Sequence, residues 1–360
     1  MNMVDNIFIL AGGAGTRLWP ASNRNTPKQF LKIKDGKSLL QLTIERAMFL
    51  EPSGEVYIIT LKEQMDAVIE ECLKLDEGKE KIVILPEPQP RNTAPAIAAA
   101  AGYLRDRGRG GESTLVMPAD HLITPAEAFK ADAEKGTELA EKGFLVTFGI
   151  IPVYPATGYG YIEAGKAAGD GFLVKRFREK PDAETAAEFL EQGGFYWNSG
   201  MFLFSPDVFW GELEKSSPGI ATVFEGIGTK DSFRIEKGIG TILNTPELAK
   251  IYAASPKDSI DYAVMEKSRS AAVVAASFTW NDIGSWDEMA EMDQEPGENV
   301  VSVASGDNFV LSDIPVALCG VEDLVVVQKN GALLICKKGK GQLVKDAVEA
   351  VKERGLEHIL

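Results

Sequence analysis

The stretch Leu10-Ala11-Gly12-Gly13-Ala14-Gly15-Thr16-Arg17-Leu18 decides how the first half of this chain folds. It continues Ile7–Leu10, a short apolar run of the kind that forms a buried strand. Glycines let backbone N–H groups approach an anion closely, and Arg17 adds a permanent charge whose planar fork suits phosphate oxygens. The stretch therefore predicts a phosphate-binding turn at a strand end, with a purely structural glycine turn as the alternative.

Two common phosphate-binding fingerprints do not fit this region. A dinucleotide-binding pattern starting at Gly13 would need glycine at position 18, which is Leu18. A Walker A loop ending in Gly36-Lys37-Ser38 would need glycine at position 31, which is Leu31. A dinucleotide-binding fingerprint is therefore absent here, and a GTP-hydrolysing switch is disfavoured.

Outward from the turn, short apolar runs alternate with helical patterns. The predicted strands are 7–10, 56–60, 82–85 and 114–117, and the predicted helices are 39–50, 64–75 and 93–107. This alternation predicts βαβ units in an α/β fold: a Rossmann-like, mostly parallel mixed sheet flanked by helices. Ligands are expected at the carboxyl ends of its strands.

The second half of the chain carries more strands and then changes character. Strands are predicted at 145–151, 160–163, 173–179 and 201–204, a helix at 183–192, and mainly helical structure over 206–270. After a break at 293–297, short strands are predicted at 299–304, 309–311, 324–328 and 332–336. A final helix is predicted to bury Leu343, Ala347, Ala350 and Val351 on one face. We expect a catalytic domain over 1–295 and a small strand-rich domain over 296–360.

Composition narrows the function further. The net charge of −15 argues against nucleic acid and anionic membranes as partners, since both require a basic face. No apolar run approaches the roughly 18 residues of a membrane helix, and the N-terminus lacks a signal peptide's basic region. Three dispersed cysteines without a CxxC pair predict a reducing compartment, the cytoplasm. Two histidines nearly exclude histidine-based metal sites and triads.

Two distant carboxylates are candidates for metal binding. Asp120 lies just past the predicted strand 114–117, and Asp282 lies between two tryptophans before a glycine turn. Mg²⁺ usually takes one or two carboxylates together with substrate phosphates, so the pair is suited to Mg²⁺. The alternative for each residue is a helix or turn cap. Lys28, in Thr26-Pro27-Lys28-Gln29-Phe30, is a further cation near the phosphate turn.

Three more polar motifs occur at predicted strand ends. They are Thr157-Gly158-Tyr159-Gly160-Tyr161, Phe177-Arg178-Glu179-Lys180-Pro181 and Tyr196-Trp197-Asn198-Ser199-Gly200-Met201. Each alone is an ordinary loop. In this order, and with Pro88-Gln89-Pro90-Arg91-Asn92-Thr93-Ala94-Pro95, Pro118–His121 and Trp280–Trp286, the motifs resemble the sugar-nucleotidyltransferase family. The Pro-Gln-Pro-Arg-Asn-Thr-Ala run is similar to the mannose/guanine branch of that family.

The resemblance implies a reaction: mannose 1-phosphate and GTP give GDP-mannose and pyrophosphate, with Mg²⁺. It also implies roles for matching residues. Arg17 and Lys28 bind the triphosphate, Asp120 and Asp282 bind Mg²⁺, and Lys180 holds the sugar phosphate. Glu179, Asn198 and Gly158, Tyr159 and Gly160 contact the sugar. Nucleotide contacts are implied for Leu10, Ala11, Gly12, Gly13, Gly15, Thr16, Glu87, Pro90, Asn92 and Thr93.

Several alternatives stay open. The substrate could be another sugar 1-phosphate or another base, or the chain could be a silent sugar-nucleotide-binding regulator. Silent copies should lose charged residues first, and Arg17, Lys28, Asp120, Lys180 and Asp282 are all present. The C-terminal part resembles the short left-handed β-helix of compact family members, but this chain lacks clear hexapeptide repeats. Its expected task is to cover the catalytic domain or to form a homodimer contact.

Glu87 is the candidate reader of the base. Guanine presents N1–H and an amino group side by side, and a carboxylate accepts from both, whereas an amide cannot. Glu87 is the first polar residue after the predicted strand 82–85 and leads into the Pro-Gln-Pro-Arg-Asn-Thr-Ala loop. The alternative is a solvated strand-end charge, with backbone groups reading the base.

Overall fold

The computed structural model describes residues 4–13, 16–23, 26–34, 36–229, 233–243, 245–292, 299–356 and 359. Within them the strands are β1 Asn6–Leu10, β2 Lys32–Lys34, β3 Lys37–Ser38, β4 Val56–Leu61, β5 Ile82–Glu87, β6 Thr114–Pro118, β7 Leu122–Thr124, β8 Leu145–Ile150, β9 Tyr161–Ala168, β10 Gly171–Arg178, β11 Phe195–Phe204, β12 Phe233–Glu236, β13 Ile239–Ile242, β14 Ala271–Ala275, β15 Thr279–Asn281, β16 Val300–Val303, β17 Phe309–Ser312, β18 Val316–Cys319, β19 Leu324–Lys329 and β20 Ala332–Lys337.

The α-helices in these residues are α1 Leu39–Phe49, α2 Met65–Leu73, α3 Thr93–Arg105, α4 Ala126–Ala140, α5 Ala183–Gln192, α6 Pro206–Ser216, α7 Pro218–Phe224, α8 Pro246–Ala254, α9 Trp286–Met292 and α10 Val344–Glu353. A π-helical turn, Asp261–Met265, follows α8. No helix in the described part of the chain is both long and apolar enough to cross a membrane.

The chain forms two compact units. The first comprises residues 4–12, 41–119 and 123–280 of the described chain, and the second comprises 13–40, 120–122 and 281–360 with the gaps given above. The predicted boundary at 295/296 lies outside the described residues and stays a prediction. The second unit unites the strand-rich C-terminal part with residues 13–40, an association that no sequence pattern indicated.

The first unit is built around one mixed sheet. Its described strands run in the order β12-β13-β5-β4-β1-β6-β11-β8-β14-β10-β9, and β11 also pairs with β9. Strands β5, β4, β1 and β6 are mutually parallel, whereas β11 is antiparallel to β6, β8 and β9. The parallel strands predicted for the first 120 residues are confirmed, and the later strands add antiparallel pairs.

Burial explains why the parallel strands were readable from sequence. Ile7, Phe8 and Ile9 of β1 are completely buried, as are Val56 and Ile58 of β4. A parallel strand covered on both faces has continuous apolar sequence rather than alternation. The helix α3 packs with the same sheet, and its alanines bring it close to the strands.

Some expectations for the first unit need correction. The region 206–270 was predicted to be mainly helical and contains α6, α7, α8 and the π-helical turn. It also contains a hairpin that was not predicted, β12–β13, in which β13 extends the sheet parallel to β5. The residues of β12 are all exposed, so no buried apolar run marks it as a strand. Strand β14 and helix α4 were not predicted either.

The second unit has its own core. Leu18, Trp19 and Leu39 pack with Trp286 of α9 and with apolar residues of β17, β19, β20 and α10. Strands β16 and β18 are parallel, β17 is parallel to β19, and β19 forms a hairpin with β20. The short strands predicted here are confirmed, and β18 is an addition.

The predicted buried face of the last helix is wrong. Val344 and Val348 are the buried residues of α10, while Leu343 is 56% exposed and Ala350 is also exposed. Leu343 belongs to a preceding 3₁₀ turn, Gly341–Leu343, so the helix begins one residue later than the periodicity implied. The change of helix type shifts which side chains face the core.

A cluster of polar side chains lies at the amino ends of β1, β4 and β6. The Arg109 guanidinium donates to Glu55 Oε2 at 2.5 Å, to Glu112 Oε2 at 2.9 Å and to Asn6 Oδ1 at 2.8 Å. Asn6 in turn donates to Glu112 and accepts from the backbone N–H of Glu55. Arg109 therefore joins residues at the starts of three strands.

We predict that Arg109→Met lowers the free energy of unfolding by about 2–4 kcal/mol. The substitution removes several charge-assisted hydrogen bonds and leaves Glu55 and Glu112 close together without their cation. Chemical denaturation measures the change. Arg234→Met, which removes an exposed ion pair with Glu236, is the control and should cost about 1 kcal/mol or less. Equal effects of the two substitutions would contradict a bracing role for Arg109.

Candidate active site

Four of the predicted site residues line one cavity within the second unit. The cavity holds about 300 Å³ and is bordered by Arg17, Leu18, Lys28, Asp120, His121, Asp282, Ile283 and Gly284. Arg17 lies in a 3₁₀ turn with an exposed side chain, and Lys28 begins another 3₁₀ turn. Residues far apart in sequence are thus brought together around one opening.

Lys28 and Asp120 form the central ion pair of this cavity. The Lys28 ammonium donates to Asp120 Oδ2 at 2.7 Å and also to the backbone carbonyl of Asp282. Lys28 is only 7% exposed. Burial opposes ionisation of Asp120, but the charges of Lys28 and His121 outweigh it and hold the pKa of Asp120 below its ordinary value. Asp120 is therefore an anion at neutral pH.

The loop carrying Asp282 is locked by a capping box. The backbone N–H groups of Gly284 and Ser285 donate to Glu288 Oε2, and Ser285 Oγ accepts from the N–H of Glu288. Burial, and then the charge of Asp282, raise the pKa of Glu288 to about 7. Sequence reasoning missed Glu288, although Ser285-Trp286-Asp287-Glu288 carries the spacing typical of a helix start.

The donor set suits a divalent cation bound together with phosphates. No group of three or more His, Cys, Asp or Glu side chains that could hold a metal occurs in the described part of the chain. Asp120 and Asp282 supply the one or two carboxylates that Mg²⁺ takes when a substrate's phosphates and waters complete its shell. Glu288 lies beside Asp282, and burial followed by the charge of Asp282 raises the pKa of Glu288.

The first unit holds a buried carboxyl next to the phosphate turn. Glu87 is the last residue of β5, which runs two residues further than predicted, and it is 6% exposed. A Cβ added to Gly12 would lie 3.3 Å from Glu87 Oε2, so a glycine brings the backbone against this carboxyl. Leu10 and Ala11 extend β1 by backbone hydrogen bonds to its neighbours.

Glu87 Oε1 and the Tyr252 hydroxyl are buried neighbours: Tyr252 influences the ionisation of Glu87, but neither atom makes a hydrogen bond of good geometry among the described residues. Burial raises the pKa of Glu87 to about 8, although Tyr252 opposes the rise. Tyr252 was not among the predicted site residues, because nothing near position 252 in the sequence indicates a contact with β5. An unpartnered buried acceptor of this kind costs free energy unless a ligand donates to it.

The loop after Glu87 is tied down at its far end. Asn92 has a left-handed backbone with φ of 72°, and its side chain accepts from the N–H of Thr93 at the start of α3. Thr93 Oγ1 accepts from the N–H of Ile260, and Arg91 donates to the carbonyls of Tyr252 and Ala253. Pro90 and Asn92 are exposed.

The residues predicted to contact the sugar form a second cluster in the first unit. A Cβ added to Gly160 would lie 2.5 Å from Glu179 Oε2, so only glycine allows this approach. The Gly160 carbonyl accepts from the N–H of Asn198 at 2.8 Å. The Asn198 side chain accepts from the Thr147 hydroxyl and donates to Asp261 Oδ1 at 2.9 Å. The cluster fixes both ends of the Asn198 amide.

Lys180 adds a cation at the rim of this cluster. Its backbone has φ of 43°, which is unusual for a residue other than glycine. Its ammonium donates to the Glu179 carboxylate. Burial opposes the charged form, but Glu179 outweighs it and raises the pKa of Lys180. Lys180 is therefore positively charged at neutral pH.

Asp261 and Glu266 are site neighbours that sequence reasoning missed. Burial, and then the charge of Glu179, raise the pKa of Asp261 to about 6. Glu266 Oε1 accepts from the backbone N–H of Glu179 at 2.9 Å. Both residues lie at the ends of a π-helical turn, a feature often found at functional sites. Their partners are distant in sequence, so no local pattern could reveal them.

The remaining predicted residues have less defined surroundings. Tyr159 lies between two indoles, with ring centroids 5.1 Å from Trp197 and 5.2 Å from Trp280. Gly158 and Gly13 have open space where a Cβ would be. Gly15 and the side chain of Thr16 lie outside what the structure describes.

Two family models together match almost the whole chain. Residues 7–298 match the Nucleotidyl transferase family, to which the chain therefore belongs. Residues 298–351 match the MannoseP isomerase/GMP-like beta-helix domain, in agreement with the predicted strand-rich C-terminal domain. The fold is thus a mixed α/β nucleotidyltransferase fold followed by a β-helix-like domain.

Individual relatives cover almost the whole chain. Xanthan biosynthesis protein XanB of Xanthomonas campestris pv. campestris (strain B100) is 39% identical over 97% of this chain and 73% of its own length. Mannose-1-phosphate guanylyltransferase RfbM of Salmonella typhimurium is 38% identical over 96% of this chain and 72% of its own length. A crystal structure described as mannose-1-phosphate geranyltransferase from Thermus thermophilus has a TM-score of 0.81 and 30% identity, covering 97% of this chain and 100% of that one.

The buried Glu87 predicts a pH dependence of stability. Its pKa is about 8 in the folded protein against an ordinary 4.5, so the folded state keeps a proton that the unfolded chain has lost. The free energy of unfolding should therefore fall as pH rises from about 4.5 to about 8. Glu87→Gln has no such charge and should gain about 2–4 kcal/mol relative to wild type between pH 5 and pH 8.5.

Denaturant unfolding of the ligand-free protein at the two pH values measures this difference. Glu77→Gln, at an exposed position, is the control and should follow the wild-type profile. Parallel pH profiles for wild type and Glu87→Gln would mean that Glu87 does not bear the burial penalty.

Proposed function

We propose that this chain transfers GMP from GTP to α-D-mannose 1-phosphate, giving GDP-mannose and pyrophosphate. The observation that carries the proposal is the cavity bordered by Arg17, Lys28, Asp120 and Asp282, which combines two cations with two carboxylates. That combination suits a metal-bound triphosphate. Relatives such as RfbM are named mannose-1-phosphate guanylyltransferases, which supports mannose 1-phosphate as the acceptor and a guanine nucleotide as the donor.

The reaction needs positive charge more than proton transfer. A phosphate oxygen of mannose 1-phosphate attacks the α-phosphorus of GTP, and the bond between the α-phosphorus and the bridging oxygen to the β-phosphate breaks. The attacking oxygen is already anionic, so no general base is required. The barrier is repulsion between two anions together with charge that grows on the departing pyrophosphate.

Arg17 and Lys28 are assigned to the triphosphate and the leaving pyrophosphate. Arg17 presents a planar fork that matches two phosphate oxygens, and Lys28 supplies a compact charge. Asp120 and Asp282 would hold Mg²⁺, which supplies further positive charge to the phosphate oxygens when bound. Leu10, Ala11, Gly12, Gly13, Gly15 and Thr16 are assigned to the nucleotide. The Ala11 N–H donates to the Ile59 carbonyl within the sheet, so the backbone N–H groups for phosphate come from the residues after Ala11.

The sugar phosphate is assigned to the second cluster of the first unit. Lys180, kept charged by Glu179, pairs with the phosphate, and Glu179 and Asn198 bind sugar hydroxyls. Asp261 holds the Asn198 amide in one orientation, so that its carbonyl and amino groups cannot exchange places. The backbone of Gly158, Tyr159 and Gly160 completes the assignment.

Glu87 is assigned to guanine recognition. The two adjacent donors of guanine, N1–H and the amino group, would favour the ionised form of this buried carboxyl, in which its oxygens accept from both. Pro90, Asn92 and Thr93 shape the surrounding loop. A site built around donors rejects a base that lacks them, because its buried acceptors are then left unpaired.

A catalytically silent regulatory role is disfavoured, because the charged residues that such a copy should lose first are all present. Four of them border one cavity, and the fifth, Lys180, donates to Glu179. We also propose a cytoplasmic location, which three free cysteines support. A homodimer stays a prediction.

Pyrophosphate release across a matrix of nucleotides and sugar 1-phosphates tests the proposal. GTP with mannose 1-phosphate and Mg²⁺ should give the highest kcat/KM, with ITP, UTP, ATP and glucose 1-phosphate all lower. Omission of the sugar phosphate should abolish release. Equal or better turnover with another pair would replace the assigned substrates, and no turnover with any pair would contradict the proposed activity.

Glu87→Gln should narrow the preference for GTP over ITP in the same assay, by about 1–3 kcal/mol or about 5- to 150-fold. ITP keeps N1–H and lacks only the amino group, so it isolates the contact in question. Glu77→Gln serves again as the exposed control. An unchanged ratio of GTP to ITP in Glu87→Gln would mean that another group reads guanine.

A further inference from the structure

The segment 16–21 carries Arg17, and the contacts that the structure describes for it are made by the residues after Arg17. Before Arg17 the sequence is Gly12-Gly13-Ala14-Gly15, of which Ala14 and Gly15 lie outside the described residues. Arg17 itself lies in a single 3₁₀ turn, which is too short to be stable by itself. After it, Leu18 is completely buried and Trp19 is 6% exposed. The position of Arg17 therefore depends on what holds the residues that follow it.

Side chains from the C-terminal part of the second unit hold this backbone. The Trp286 indole N–H donates to the Trp19 carbonyl at 2.9 Å. The Asn330 amide donates to the Pro20 carbonyl at 2.9 Å and reaches the Ala21 carbonyl at 3.4 Å. Three consecutive carbonyls after Leu18 thus accept from residues that lie beyond position 285.

The Asn330 amide is not needed by its own hairpin. Strands β19 and β20 pair through Lys329 and Ala332, and Asn330-Gly331 forms the two-residue connection with φ of 53° and 77°. Such a turn requires left-handed backbone at both positions, which glycine provides as well as asparagine. The amide group is therefore available for the contact with Pro20.

Strands β17 and β19 supply the apolar side chains that pack against the segment. Leu18 and Trp19 belong to one buried cluster with Phe309, Val325 and Val327. Apolar packing holds the buried side chains of the segment in place. The hydrogen bonds to its carbonyls are directional, so they fix the orientation of its backbone. Asn330 is the contact of this set that can be removed without opening a cavity.

We propose that Asn330 is a positioning residue for phosphate binding, and that its amide fixes the Pro20–Ala21 backbone so that Arg17 is held at the cavity. The inference rests on the proposed function in one respect, that Arg17 binds the triphosphate. The strand-rich C-terminal part thereby has a role in the reaction, which is to hold Arg17 in position through Asn330.

Asn330→Gly tests the inference, because it deletes the amide and keeps the turn. It should lower kcat/KM for GTP by about 10- to 100-fold, the effect of a misplaced catalytic group. The KM for mannose 1-phosphate should stay within about twofold of wild type. Affinity for inorganic pyrophosphate, measured by calorimetry, should fall together with the GTP parameter.

Asn308→Gly is the matched control. The Asn308 amide also donates to a backbone carbonyl, that of Val321, and its oxygen accepts from the N–H of Leu324. This variant should lose at least as much thermal stability as Asn330→Gly, because Asn308 lacks the left-handed backbone that glycine favours, and its kcat/KM for GTP should be unchanged at temperatures where it is folded. An equal loss of kcat/KM in both variants would overturn the inference in favour of a general stability effect.

A double-mutant cycle gives the sharper test. If Asn330 acts through Arg17, then Asn330→Gly has no further effect on pyrophosphate affinity in an Arg17→Ala background. Additive losses would overturn the inference. Absence of guanylyl transfer in the wild type would instead contradict the proposed function, and unaltered pyrophosphate affinity in Asn330→Gly would still overturn the positioning role by itself.

Discussion

The ion pair between Lys28 and Asp120 is the interaction on which the phosphate cavity depends. A buried ammonium without a partner is strongly destabilising, and Asp120 at 2.7 Å provides that partner. The same ammonium donates to the carbonyl of Asp282, so the Lys28 side chain links three stretches of chain that are far apart in sequence. In a protein of net charge −15, a local positive site has to be assembled by the fold, because composition alone does not supply it.

In the first unit, two buried carboxyl groups pack directly against glycine residues. Gly12 lies against Glu87 and Gly160 lies against Glu179, at distances that a side chain would obstruct or strain. The carboxyls of Glu87 and Asp261 have raised pKa values because they are held away from water. Such groups are costly in the empty protein and are suited to ligands that bring hydrogen-bond donors.

Much of the fold could be predicted because the central strands are continuous apolar runs. Where the structure departs from prediction, a specific side chain explains it. Helix α4 was missed because Asp132 and Gly136 interrupt its apolar face: Asp132 accepts from Ser277, and Gly136 lies against Phe148. The buried face of α10 was misjudged because Leu343 belongs to a 3₁₀ turn. Candidate residues that follow strands were identifiable, whereas Tyr252 and Asp261 reach the site only through tertiary contacts.

The central claim is that Asp120 and Asp282 bind a divalent cation together with the triphosphate that Arg17 and Lys28 hold. Calorimetric titration of GTP with and without Mg²⁺ tests it most directly, in wild type, Asp120→Asn and Asp282→Asn, each shown to be folded. Mg²⁺ should strengthen GTP binding to the wild type at least tenfold, or about 1.4 kcal/mol, and should give little or no gain in either variant. The same Mg²⁺-dependent gain in all three proteins would contradict the claim.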